Sequence, residues 1–132
     1  MEDMKSFLSF VIGLAMFGLV NVASSAEPKN ISVDEAAKLL KADPNIVVLD
    51  VRTPREFEAG HIQGATNINF NDKDFAKRID ALDKKKIYII HCASGGRSGQ
   101  ACEQIKTMNF KHMMHMNQGF SAWKEAGQPV AK

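Results

Sequence analysis

The sequence predicts an α/β fold, with a central parallel sheet of about five short strands and helices on both faces. Three observations predict it. The apolar runs "NIVVLDVR" and "KIYIIH" are short, rich in β-branched residues and free of polar alternation, as expected of strands buried on both faces. Amphipathic stretches with cap residues at their starts lie between such runs. The connections reach ten residues or more, which suits parallel crossovers rather than hairpins.

The elements follow in order. After a short linker, "NISVDEAAKLLKADP" opens with a capping box, Ser32 with Glu35. Val33, Ala36, Ala37 and Leu40 share one face of that helix, and Pro44 ends it. The strand "NIVVLDVR" carries Asp50 near its end. "TPREFEAGH" is a second, two-turn helix, with Thr53 as N-cap, Pro54 at the first helical position, Glu56 completing the box and Gly60 as the stop. "ATNINF" is a short strand, and "NDKDFAKRIDALDKK" a helix that turns Phe75, Ile79 and Leu82 inward. "KIYIIH" follows as a strand, then a helix from Ser98 to about Met108. "KHMMHM" is the last strand, and "GFSAWKEAGQPV" a final helix closed by Gly127, with Trp123 in the core.

Composition places the 132-residue chain among ordinary globular proteins: 45% hydrophobic, 24% charged, formal charge +2. That balance names no partner and gives no nucleic-acid-binding tail. Residues 7 to 22, "FLSFVIGLAMFGLVNV", are uncharged, and Ser24 and Ala26 are small residues at the positions a signal peptidase reads. The expectation is a signal peptide at 1–26 followed by a single domain at 27–132, periplasmic or otherwise exported. An uncleaved membrane anchor is the alternative. Glu2 and Asp3 fit a signal peptide badly, whereas a start at Met4 would leave Lys5 in the expected place.

The chemistry gathers at "YIIHCASGGRSGQA". In open parallel sheets, sites form beyond the carboxyl ends of the strands, where Cys92 falls. Ala93, Ser94, Gly95, Gly96 and Arg97 then curl toward a helix start at Ser98, and adjacent glycines permit the turn. Loop N–H groups, the helix N-terminus and the Arg97 charge would converge on the sulfur, lowering its pKa and holding anions attached to it. The catalytic candidate is therefore Cys92, and the substrate-binding candidates are Ala93, Ser94, Gly95, Gly96, Arg97 and Ser98. Two cysteines in an exported chain also permit a Cys92–Cys102 disulfide, which the spacing leaves open.

Three segments carry a resemblance: "LDVRTPREFEAGHIQGATNI", "HCASGGRSGQA" and "GFSAWKEAGQPV". Together they resemble the rhodanese-like sulfurtransferases, in that family's order and over nearly all of residues 27–132. The resemblance implies the rhodanese-like three-layer fold, and a Cys92 that takes a sulfane sulfur as a persulfide from thiosulfate or a similar donor. The acceptor would be cyanide or a thiol. It implies a monomer whose partners are a small anionic donor and a thiophilic acceptor, and it calls for no metal or organic cofactor. Gln118 departs from the pattern, standing where the family commonly has the first of two glycines.

Other readings meet specific objections. "HCASGGRS" is similar to the phosphatase loop, but four residues separate Cys92 from Arg97 where that loop has five. A phosphoryl group with three oxygens needs a wider ring of amides than one sulfur does. A persulfide carrier without turnover would use the same loop. "HMMHM" suggests copper, yet on a strand His112 and His115 point to opposite faces. By the same alternation His91 points away from Cys92 and is not assigned as its base. Asp50 and Arg52 are expected to pair near the rim of the site.

Overall fold

The computed structural model describes residues 27–132, so the expected leader at 1–26 lies outside the described residues. Five parallel strands form one sheet: β1 (Lys29–Ile31), β2 (Val47–Asp50), β3 (Thr66–Asn67), β4 (Ile87–His91) and β5 (His112–Met116). Their spatial order is β1-β5-β4-β2-β3. Central β4 pairs Ile90 with Leu49 of β2 and with His115 of β5. The predicted α/β class and sheet are therefore found.

Among the described residues five helices cover the sheet: α1 (Val33–Ala42), α2 (Pro54–Ala59), α3 (Phe75–Asp80), α4 (Gly96–Ile105) and α5 (Gly119–Glu125). Strand alternation divides the core into two layers. Leu49, Val51, Tyr88, Ile90 and Cys92 pack with Phe75 and Ile79 of α3 and Ala101, Cys102 and Ile105 of α4. Val48, Ile89 and Met116 pack on the other face with Val33 and Ala36 of α1 and Phe120 and Trp123 of α5. Among the described residues no helix is long and apolar enough to cross a membrane.

Both capping boxes form. Ser32 and Glu35 exchange backbone–side-chain bonds at 3.0 Å each, and Thr53 and Glu56 do so at 3.2 and 3.0 Å. The differences from expectation are local. Ahead of the first helix, over Lys29 to Ile31, the chain forms β1, an edge strand that was not expected, with only Ile31 buried. The strand expected over "ATNINF" shrinks to two residues, and the Asn67 side-chain amide donates to the carbonyls of Asp50 and Arg52, at 2.9 Å each. The helix α4 starts at Gly96 rather than Ser98, since Gly95 adopts a left-handed φ of 105° as its N-cap. It also ends at Ile105, short of Met108, and the chain turns out through Asn109 at φ 64°.

Candidate active site

Cys92 follows the last residue of β4 and is only 1% exposed. The early start of α4 folds the loop tightly over it. Its Sγ accepts the Gly95 N–H at 3.1 Å and lies 3.3 Å from the Ser98 hydroxyl. Burial pushes the thiol's pKa up, but the Ser98 hydroxyl and the amides of Ser98, Gly95 and Ser94 outweigh it, so the net shift is downward. Cys102, nearly two turns into α4, is also buried, and burial pushes it to about 12. The two thiols are free, and their environments separate them as nucleophiles.

The loop is pinned from the far side by α5. The Phe120 and Ser121 amides, at the start of that helix, donate to the carbonyls of Cys92 and Ala93 at 2.9 and 3.0 Å. This approach requires glycine at 119. Its φ is 79°, and a Cβ there would lie 2.3 Å from the Ala93 carbonyl oxygen. Gly95 is similarly confined, 2.4 Å from the Asn117 carbonyl oxygen to where its Cβ would stand. The sequence motif "ASGG" and the distant "QGF" are thus two halves of one joint.

A rhodanese-like domain model matches residues 32–126, which include every element that builds this joint. The chain belongs to the rhodanese-like domain family. It is 33% identical over 116 residues to thiosulfate sulfurtransferase 16, chloroplastic, of Arabidopsis thaliana, covering 80% of this chain and 95% of that protein. It is 31% identical over 103 residues to the putative sulfurtransferase YtwF of Bacillus subtilis, covering 78% of this chain and 97% of that protein. A rhodanese-related protein from Thermoplasma volcanium has a crystal structure that superposes with a TM-score of 0.70 at 28% identity, over 78% of this chain and 97% of that one. The chain spans 61% and 53% of the lengths of two other relatives, an uncharacterised Synechocystis protein and the Arabidopsis mitochondrial protein HIGH ARSENIC CONTENT 1.

In this rhodanese-like domain, Gln118 takes an ordinary helical conformation, φ −81°, ψ −17°, at the N-cap of α5. Only Gly119 needs a left-handed backbone, so the departure from paired glycines leaves the joint intact. Gly96 is exposed, and a Cβ there would meet nothing within 4 Å. Its place in the predicted binding set has no packing reason.

Arg97 differs most from expectation. Its two terminal nitrogens hold Glu56 of α2 at 2.7 and 3.0 Å, a bidentate bridge rather than a contact with the sulfur. The guanidinium holds the Glu56 carboxyl down at about 2. In the sequence Glu56 is marked only as a cap; it lies forty-one positions from Arg97, and no local pattern links them.

Beneath the loop lies a buried polar group on the opposite face. Asp50 and Arg52 form the expected pair, buried rather than at the rim, with the guanidinium 4.2 Å from the centre of the Phe120 ring. His91 gives its Nδ1 proton to the Cys92 carbonyl at 2.9 Å, leaving Nε2 without a hydrogen-bond partner, 3.7 Å from Asp50 Oδ2. His91 therefore supports the backbone of Cys92 and does not reach its sulfur. His115, one of the two histidines of "HMMHM", is the histidine that does face the site. Its Nε2 lies 2.7 Å from Ser98 Oγ.

Proposed function

We propose that this domain moves a sulfane sulfur from an anionic donor such as thiosulfate to a thiophilic acceptor through a persulfide on Cys92. The observation that carries the reading is the seat of the sulfur, with the Gly95 N–H at 3.1 Å and the Ser98 hydroxyl at 3.3 Å. The Cys92 thiolate attacks the outer sulfur of thiosulfate. A sulfur–sulfur bond forms to Cys92 while the donor's sulfur–sulfur bond breaks, and its electron pair leaves with sulfite. Cyanide or a thiolate then takes the sulfane sulfur, and the electron pair returns to Cys92 as thiolate.

Donor dianion, bound persulfide and departing sulfite are all anions, so one set of N–H donors serves every stage. The sulfane sulfur stands about 2 Å beyond Sγ, the length of a sulfur–sulfur bond, which brings the reactive atom out from a nearly closed floor. Ala93, Ser94, Gly95, Gly96, Arg97 and Ser98 remain the proposed donor-binding loop. Arg97 has five N–H donors and spends two on Glu56, so three are left for a donor anion. We extend the proposal to an exported monomer.

Steady-state thiocyanate formation from thiosulfate and cyanide tests the reading, with hydrolysis of an aryl phosphate measured in parallel. Turnover that vanishes in Cys92→Ser supports it. Phosphate release without thiocyanate formation contradicts it. Sulfur uptake without turnover would instead favour a carrier.

A further inference from the structure

Three polar side chains continue outward from Cys92. Ser98 Oγ lies 3.3 Å from Sγ and 2.7 Å from His115 Nε2, and His115 Nδ1 lies 3.1 Å from Asn30 Oδ1. Ser98 is fully buried and His115 nearly so, while Asn30 sits on the exposed edge strand β1. The chain of atoms joins β4, α4, β5 and β1. From this geometry we propose that His115 is a positioning residue that accepts the Cys92 thiol proton through the Ser98 hydroxyl, with Asn30 fixing its ring. The inference rests on the assignment of Cys92 as the sulfur-accepting nucleophile.

Hydrogen counting gives the direction. The Asn30 carboxamide oxygen can only accept, so Nδ1 of His115 carries the ring proton and Nε2 presents a lone pair. Ser98 has one hydroxyl hydrogen, and at 2.7 Å it points to Nε2. Its lone pairs then face the thiol, whose S–H donates to Oγ. On ionisation the thiol proton passes to Oγ and the hydroxyl proton passes to Nε2. The products are a thiolate and an imidazolium, with no change in net charge and no other reactant. Both hydrogen bonds of Ser98 reverse: Nε2–H now donates to Oγ, and O–H to the sulfur, while Nδ1–H still donates to Asn30.

The surroundings suit a proton acceptor that starts neutral. The groups facing the ring are Ser98 with Cys92 behind it on the α4 side and neutral Asn30 on β1, while His91 of adjoining β4, whose side chain lies on the other face of the sheet, acts on it only through its charge. Burial, and then His91, lower the pKa of His115. The ring gains its charge only opposite a new thiolate. The relay serves thiol ionisation before sulfur loading; the persulfide, more acidic than a thiol, needs it less.

The test is a pH titration of the Cys92 thiolate by its ultraviolet absorbance, on a Cys102→Ala background and corrected with Cys92→Ser. It needs no sulfur donor, so it decides the relay even if thiosulfate transfer fails. His115→Gln keeps an amide to donate to Ser98 but cannot take a proton. Its thiolate midpoint should rise by about one unit, as for loss of one nearby opposite charge, and the turnover deficit should fade at alkaline pH. Asn30→Asp, at an exposed position, should move the midpoint the other way by favouring the imidazolium. A midpoint unchanged in His115→Gln, or in Asn30→Asp should the glutamine variant fail to fold, would overturn the proposal. So would a turnover loss equal at every pH, which is what a purely structural histidine would give.

Discussion

Arg97 of the loop and Glu56 of the second helix form a bidentate bridge at 2.7 and 3.0 Å, with both side chains about a third exposed. The carboxylate fixes the guanidinium beside the site and also offsets its charge there. A donor anion therefore meets an arginine that is held in place but partly neutralised.

Replacing the carboxylate should separate these effects. In Glu56→Gln the amide can still complete the cap with Thr53, but it no longer cancels the Arg97 charge. KM for thiosulfate should fall several-fold, with a stronger dependence on salt. Arg97→Ala should raise KM more than Arg97→Lys, because lysine keeps the charge without the fork. Thiocyanate kinetics at two ionic strengths measure both. A KM that rises in Glu56→Gln would mean that anchoring outweighs neutralisation.

The glycine at the joint between loop and α5 gives a sharp contrast with its neighbour. Gly119→Ala should destabilise the fold by on the order of 3 kcal/mol, from backbone overlap and left-handed strain, because its Cβ would lie 2.3 Å from the Ala93 oxygen at φ 79°. Gln118→Gly, at an exposed helical conformation, should cost about 0.5–1 kcal/mol through chain entropy. Urea denaturation of both variants checks the pair. Similar midpoints for the two would contradict the close approach drawn at Gly119.

His91 makes stability depend on pH. Burial lowers its pKa below the ordinary 6.5, against the opposing pull of the Asp50 charge, and His115 is lowered as well. Below 6.5 the unfolded chain binds protons that the native chain refuses, so stability is complete above that value and is lost as pH falls through it. The urea midpoint should drop between about pH 7 and about pH 5, the range in which unfolded histidines titrate. His91→Asn retains a donor for the Cys92 carbonyl and should reduce that slope. An unchanged slope would remove His91 from the effect.

Much of this architecture was legible because its signals are local. Ser32 with Glu35 and Thr53 with Glu56 each fall within four residues, and the uninterrupted "IYII" run marks a doubly covered strand. β1 has three residues, two of them exposed, which is too short for any periodicity to register. The start of α4 depended on Gly95 turning left-handed, which a glycine permits and does not announce. Of the site, Cys92 and its loop were readable, since strand end, glycines and helix start adjoin in sequence. The partners Glu56 and His115 were not. Alternation placed His115 opposite His112, but only the packing of α4 on that face brings Ser98 to the ring.

The central claim is that Cys92, and not Cys102, holds the transferred sulfur. Intact mass spectrometry after thiosulfate treatment, followed by peptide mapping, tests it most directly. The account predicts one added sulfur atom on the Cys92 peptide, removed by cyanide, absent in Cys92→Ser and retained in Cys102→Ser. A protein that gains no sulfur, or gains it at Cys102 while Cys92 stays unmodified, would contradict the account.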